Sequence, residues 1–428
     1  MRALKEDLAQ LARNERGRKA LFVSPVMPDP RGFGLQQRGF SHLSALARLY
    51  DVELVVLQGS TPVEEVSSLV SSVAVVPEFV GLDPQGLPMP AKPQQLRVPM
   101  LSLLRMLLTN HSRSCVATSL PALSGMINRH FQHRSYDLGF FFRLATAGVC
   151  PLLRCRLGVC FRRTVFDLDD IESKALSRET VITREKIGLE MALIRKVQAS
   201  YLSRSEDWCL RHFDVTFVCS STDRAQLLQR VPGAQIKILP NSVVVRKPLP
   251  TARGESRNIL FVGTMNYGPN VDGVTFFCRE VLPRLRQRMT RPVDVWIVGY
   301  NPLPEVTELA EIDNVHVMNA VNSVVPFYEQ AHLVVVPIRY GGGTRIKILE
   351  ALAFERAVVS TTVGAEGLNL VPGKDLLIAD LPDEFAGACA DLLTRTSRAQ
   401  ALAQQGREKV NRLYSSAIAA RALLAAVQ

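Results

Sequence analysis

The sequence has no run approaching about 18 uncharged apolar residues, so it offers no membrane-spanning helix. Its amino end, MRALKEDLAQLARNERGRKALFV, lacks an uninterrupted apolar core and does not read as a secretory signal. The eight cysteines include no CxxC pair, which removes the usual zinc and dithiol motifs. Cys150, Cys155 and Cys160 recur every five residues, a spacing that suits neither a zinc site nor one helix face. All eight are read as reduced, mostly core cysteines of a cytoplasmic protein. No RNA- or DNA-reading motif occurs and the arginines are scattered, so nucleic acid is the least expected partner. No solenoid period is found.

What is present is a globular composition, 47% hydrophobic and 21% charged, over 428 residues, enough for two domains. The net charge of +11 favours anionic partners: nucleotide phosphates or acidic lipid headgroups.

Apolar strands alternate with helical patterns in two series. The first opens with strand Ala20–Ser24, a loop rich in glycine and proline, a helix over Leu35–Leu49 and strand Val52–Leu57, a βαβ unit that predicts a parallel sheet. Val98–Leu108 reads as an amphipathic helix, interior by default, with membrane contact as the alternative. Further strands are expected at Leu138–Leu144, Thr164–Leu168, Val215–Cys219 and Ile236–Leu239, with a long helical region between Ile171 and Leu210. Residues 244–258 hold prolines, glycine and charges without periodicity, and read as a linker. The rhythm restarts at Ile259–Val262, with a helix over Asn270–Arg288 and strands at Val293–Val298, Val315–Met318, Leu333–Ile338 and Ala357–Ser360. The end, from Pro382, is mostly helical. This divides the chain into an N-terminal domain (1–243), a linker (244–258) and a C-terminal domain (259–428), whose last helix is allowed to pack back on the first. The expected class is α/β: two doubly wound, Rossmann-like domains facing across a cleft.

The most informative segment is Arg339–Leu368, RYGGGTRIKILEALAFERAVVSTTVGAEGL. A buried strand runs into three glycines, Gly341, Gly342 and Gly343. Thr344 follows as a helix cap, then a helix over Arg345–Phe354. Strand, glycine turn and helix leave free backbone N–H groups aimed at an anion. Arg345 and Lys347 fall in the first turn, where the helix dipole disfavours positive charge and a bound phosphate would remove the conflict. Glu350 lies further along in an apolar run, where a carboxylate is costly unless it faces a partner or a cleft. The competing reading is a ligand-free turn and a solvated glutamate.

This segment resembles the donor-binding motif of the family 4 (group 1) glycosyltransferases, which have the GT-B fold. More narrowly it is similar to the bacterial subset that builds exopolysaccharides and O-antigens. The resemblance implies a retaining transferase that takes a nucleotide-diphosphate sugar, needs no metal or other cofactor, and passes the sugar to a glycan or lipid-linked acceptor; the net charge and the Val98–Leu108 helix leave peripheral contact at the inner membrane face open. It covers the C-terminal half strongly and the N-terminal half loosely. Most of the family carries two glutamates in the motif. The second aligns with Glu350, for which the family implies ribose binding, and the first aligns with Gly342. The amides of Gly342, Gly343 and Thr344, with Arg345 and Lys347, are the expected diphosphate site.

Other positions complete the expectation. Gly263 and Thr264 follow the first strand of the second series; relatives often have an arginine there and a lysine near the position of Asn270, and this chain has neither. Glu366 follows a strand at the same edge, and Asn322 and Ser323 lie where relatives place the nucleobase. Pro240-Asn241-Ser242 matches a turn of the family. In the first domain Gly32 and Gly34 form the loop expected to meet phosphate or acceptor, flanked by Arg31 and Arg38. Phe166-Asp167-Leu168-Asp169-Asp170 resembles the DxD metal motif of the other glycosyltransferase fold, GT-A, a reading the α/β pattern opposes. Asp169 aligns with a histidine near the reaction centre of relatives and is the candidate proton acceptor; capping of the next helix by Asp169 or Asp170 is the alternative. The rival functions are a non-catalytic GT-B scaffold of a partner transferase, and a GT-B epimerase or phosphorylase.

Overall fold

The computed structural model describes residues 17–58, 64–75 and 135–428, apart from positions 246, 251, 253, 255 and 322. The Val98–Leu108 helix, Cys115 and Asn322 lie outside the described residues. The chain divides into two compact units: one runs to Leu239 and takes in Ala420–Gln428, and the other is Pro240–Ala419.

The first unit is built on β1 (Lys19–Val26), β2 (Asp51–Gln58), β3 (Ser72–Val75), β4 (Ser135–Phe142), β5 (Cys160–Asp169), β6 (Val215–Val218) and β7 (Ile236–Ile238). All pairings are parallel, in the order β3-β2-β1-β4-β5-β6-β7. Its strands are near-continuous apolar runs because helices cover both faces of a parallel sheet. Phe22, Phe140, Phe141, Phe142, Phe166 and Phe217 are fully buried within it.

The second unit repeats the plan with β8 (Arg257–Val262), β9 (Val293–Gly299), β10 (Val315–Asn319), β11 (Leu333–Val336), β12 (Val358–Ser360) and β13 (Leu377–Ile378), all parallel, in the order β10-β9-β8-β11-β12-β13. Both orders reverse beside the first strand, between β1 and β4 and between β8 and β11. At such a switch point the loops beyond the carboxyl ends diverge and leave a ligand crevice.

Three local expectations need correction. Arg257 and Asn258, read as linker, belong to β8, where they pair with Val293 and Asp294. The helix expected over Asn270–Arg288 is three pieces: Gly268–Phe276, a π-helical turn Phe277–Val281, and Leu282–Arg288. Pro283 has no N–H to continue the ladder, and the π turn absorbs the break. The long helix Glu172–His212 folds back at Gly188 (φ 76, ψ 168), so Arg195 reaches Glu179 at 3.0 Å. That backbone region is open almost only to glycine.

Of the described cysteines, Cys150, Cys209, Cys219, Cys278 and Cys389 are buried and Cys155 and Cys160 exposed, all as free thiols. No helix among the described residues is long and apolar enough to cross a membrane.

Candidate functional site

In the second unit the loops after β8 and β11 flank the switch point. β11 is wholly buried, and the chain leaves it through Pro337–Tyr340 into the triple glycine. Gly341 (φ 110) and Gly343 (φ 65) adopt backbone that L-side chains avoid, which is why glycine stands there. The helix that follows is Ile346–Ala353. Ile348, Leu349, Ala351, Leu352 and Ala353 face the core. Burying each of the larger ones stabilises the unit by about 1.5–3 kcal/mol and holds the helix's amino end at the sheet edge.

The cap differs from expectation. Arg345, not Thr344, is the capping position, and no side chain caps the helix. Thr344 is buried, and its hydroxyl accepts a hydrogen bond from the Asn241 side-chain amide at 2.9 Å. A buried amide needs an acceptor, and this one takes the hydroxyl that would have served the helix. The backbone N–H groups of Gly342, Gly343, Thr344, Arg345, Ile346 and Lys347 therefore donate to no partner among the described residues. The Arg345 guanidinium folds over the turn, with Nη1 donating to the carbonyls of Gly342 and Gly343. Its Nε–H and Nη2–H groups are buried and find no acceptor among the described residues. Buried donors without a protein acceptor are rare in native structures, where water, an ion or a ligand answers them.

Lys347 is half-buried. Its ammonium donates to Asn270 Oδ1 at 2.7 Å and lies 4.1 Å from the centre of the Phe261 ring. Burial, and then the charge of Arg345, push its pKa down to about 7, against the opposing pull of Glu350. Gly263, the residue after β8, lies close beside it: a Cβ there would stand 2.7 Å from the ammonium and 2.7 Å from the Asn270 amide nitrogen. Thr264 contributes its carbonyl, which accepts from Asn270 Nδ2 at 2.8 Å. The Lys347 ammonium is thus held beside the carboxyl end of β8 by Asn270.

Glu350 is half-buried and accepts a hydrogen bond from the fully buried Tyr328 hydroxyl at 3.1 Å. Burial and the Glu350 charge keep the phenol protonated, so it remains a donor. Glu366 lies in the turn after β12, a strand adjacent to β11, where its N–H donates to the Val363 carbonyl at 3.3 Å. Ser323 accepts from the Val325 amide at 3.2 Å, at the first residue of the helix Val325–Gln330.

In the first unit the loop after β1 leads through Gly32 into the helix that opens at Gly34 (Gly34–Leu46). The Gly32 N–H donates to the Asp29 carbonyl at 3.3 Å, and its carbonyl accepts from Gln37 at 2.8 Å. Arg31 is exposed and pairs with Glu65 at 3.2 Å. Arg38 is not available to an anion in this loop, contrary to expectation. It is buried, and its guanidinium makes two bonds of 2.9 Å to Asp167. His42 Nε2 meets the same carboxylate at 2.7 Å. Burial alone would raise the Asp167 pKa; the Arg38 charge and the His42 contact outweigh it and hold the group well below the usual carboxylate range. Asp167 therefore serves an internal ion pair.

Asp169 ends β5 with φ +62, and Arg143, just past β4, has φ +70. Two non-glycine residues in this region on adjacent strand ends is the strain that gathers at functional sites. Asp169 Oδ2 lies 3.2 Å from Arg143 Nη1, and Oδ1 lies 3.3 Å from Arg38 Nε and accepts from the Cys219 thiol at 2.8 Å. The carboxylate of Asp169 is thus engaged with Arg143, Arg38 and Cys219 at the end of β5. The cap position of the next helix is Ile171, and the Ser173 amide and hydroxyl are held by the buried Glu206 at 2.8 and 2.7 Å.

The sequence reading missed Arg143, His42, Cys219, Tyr328 and the Asn241–Thr344 bond. Only Arg143 and Cys219 carried a signal, as polar residues at the ends of predicted strands.

Residues 256–395 match the family model of Glycosyl transferases group 1. A curated relative, an uncharacterized 44.6 kDa protein in the cps region of Klebsiella pneumoniae, is 25% identical over 152 residues, 33% of this chain and 39% of that protein. Among solved structures, sucrose-phosphate synthase from Thermosynechococcus elongatus superposes with a TM-score of 0.67 at 17% identity, over 96% of this chain and 100% of that one. The HepE protein of Anabaena in complex with UDP-glucose gives 0.61 at 12% identity, over 96% and 99%. The fold is GT-B, with two parallel-sheet α/β domains, and the stretch that matches the group 1 model lies in the second unit.

Proposed function

We propose that this chain is a retaining glycosyltransferase of the family 4 type, moving a sugar from a nucleotide-diphosphate donor to a glycan or lipid-linked acceptor. The observation that carries this reading is the set of unanswered donors at the triple glycine: six consecutive amides from Gly342 to Lys347 and the Nε and Nη2 groups of Arg345. A diphosphate supplies the acceptors they lack. The HepE structure holds UDP-glucose on the same fold, which supports a nucleotide sugar as the ligand. The relative from a cps region supports a place in polysaccharide biosynthesis.

In this reading the amides of Gly342, Gly343 and Thr344 bind the diphosphate, with Arg345 and Lys347 beside it. As the bond from the sugar's anomeric carbon to the diphosphate breaks, negative charge grows on the leaving oxygens, and these fixed donors stabilise it without reorganising. Gly342, standing where relatives have a glutamate, contributes an amide instead of a carboxylate. Glu350, steadied by Tyr328, accepts from the ribose hydroxyls. Gly263 and Thr264 line the approach after β8, and Glu366 orients the base or the sugar. The acceptor binds the first unit near the Gly32–Gly34 loop and attacks on the face the leaving group vacates. For Asp169 to take the acceptor's proton, one of its contacts to Arg143, Arg38 or Cys219 must open.

Calorimetric titration with UDP and GDP tests the reading. It expects one of them to bind, and product analysis with a nucleotide sugar and a glycan acceptor to show transfer. Binding of neither nucleotide would favour a scaffold; turnover without a glycan acceptor would favour an epimerase or phosphorylase.

A further inference from the structure

Lys347 reaches the carboxyl end of β8 from a different strand–helix crossover, and one residue fixes where it stops. Asn270 is 5% exposed. Its Nδ2 donates to the Thr264 carbonyl at 2.8 Å, which sets the amide's orientation and leaves Oδ1 to accept from the ammonium at 2.7 Å. Gly263 supplies the space, since a Cβ would collide with both groups. The charges that act on the ammonium are Arg345, just before its helix, and Glu350, within it; among the described residues β8 offers Phe261, the position after it Gly263, and the helix Gly268–Phe276 the neutral Asn270. Asp272, on that same helix, is held by Arg339 at 2.6 and 2.8 Å.

We propose that Asn270 is a positioning residue for donor binding: its side-chain oxygen holds the Lys347 ammonium over Gly263 as a neutral acceptor, so that the positive charge stays available to a nucleotide's diphosphate. The inference rests on the donor-site reading above. A carboxylate at position 270 would hold the ammonium equally well but would neutralise it and repel the diphosphate. The neutral partner also leaves Lys347 losing its proton near pH 7 in the free protein. Above that pH the protein must take up a proton to bind the nucleotide, so affinity falls as pH rises from 7 towards 9.

The test is calorimetric titration of the full chain with UDP and GDP. Wild type, Asn270→Ala, Lys347→Met, the double variant and Asn270→Asp are compared, with circular dichroism and melting confirming the fold. Asn270→Ala and Lys347→Met should each weaken the bound nucleotide about tenfold, the scale of a lost charged hydrogen bond. The double variant should bind no more weakly than Lys347→Met alone, because Asn270 acts through Lys347. Asn270→Asp should weaken binding at pH 7 and flatten its decline towards pH 9. Should its buried carboxylate unfold the unit, the alanine cycle decides alone. Losses that multiply in the double variant, or wild-type affinity and pH slope in Asn270→Asp, would overturn the proposal. A wild type that binds neither nucleotide would remove the donor-site reading itself, an outcome distinct from normal binding by the Asn270 variants.

Discussion

Replacing Asp167 with asparagine separates the internal ion pair from a metal-binding DxD motif. Asp167 is 0% exposed and Arg38 4% exposed, and two bonds of 2.9 Å join them. The substitution keeps the shape and removes the charge, leaving a buried guanidinium with Asp169 Oδ1 at 3.3 Å as its remaining acid. Breaking a buried pair on one side costs about 3–5 kcal/mol, and the surviving Asp169 contact places the cost near the lower end, about 3 kcal/mol. The chain's two tryptophans fall one in each unit, Trp208 and Trp296, so in a Trp296→Phe background fluorescence follows the first unit alone. With a urea dependence of roughly 2–3 kcal/mol/M, the midpoint should fall by roughly 1 M. Replacing both partners, Arg38→Met with Asp167→Leu, should recover most of the loss, since no unpaired charge is left behind. The folded-state pKa of Asp167 is depressed, so its contribution is fully present above the unfolded carboxylate value of about 4 and is lost as pH falls below it. Wild type and Asp167→Asn should therefore converge in strong acid. A midpoint shift under about 0.2 M at pH 7, or unchanged stability with selective loss of a metal-dependent activity, would refute the ion-pair account.

Arg345→Ala should lower turnover by orders of magnitude while the melting temperature stays near wild type, because the residue lies outside the helix core; initial rates with a nucleotide sugar check this. Glu350→Gln should weaken UDP about tenfold yet leave pyrophosphate affinity unchanged by calorimetry, since the residue is assigned to the ribose. Gly406→Ala would bring a Cβ to 2.6 Å from Leu352 Cδ2 and 2.8 Å from the Asp375 carbonyl. It should destabilise the second unit by about 1–3 kcal/mol, read from Trp296 fluorescence in urea.

The parallel α/β plan was legible because buried strands announce themselves as apolar runs: Leu333–Ile338 and Val293–Val298 were placed within two residues of β11 and β9. The turn at Gly341–Gly343 was legible for a chemical reason, as three glycines between a strand and a helix leave little else for the backbone to do. What stayed hidden depends on partners distant in sequence. Thr344 looks like a cap until Asn241 is brought to it, and Asp167 looks like half of a metal motif until Arg38, 129 positions away, is folded against it. Asn270 read as a missing cation, and only the folded crossover brings the Lys347 ammonium to it from another element. The π turn before Pro283 and the reversal at Gly188 hang on single residues within helical patterns, which periodicity averages away.

The central claim is that a nucleotide diphosphate docks on the amides at the amino end of the helix Ile346–Ala353. Hydrogen exchange resolved at the amides of Gly342–Lys347, with and without saturating UDP or GDP, tests it most directly. These amides have no partner among the described residues and should exchange fast in the free protein, then slow markedly when the nucleotide binds. Tight binding of the nucleotide with unchanged exchange at all six amides would contradict the account.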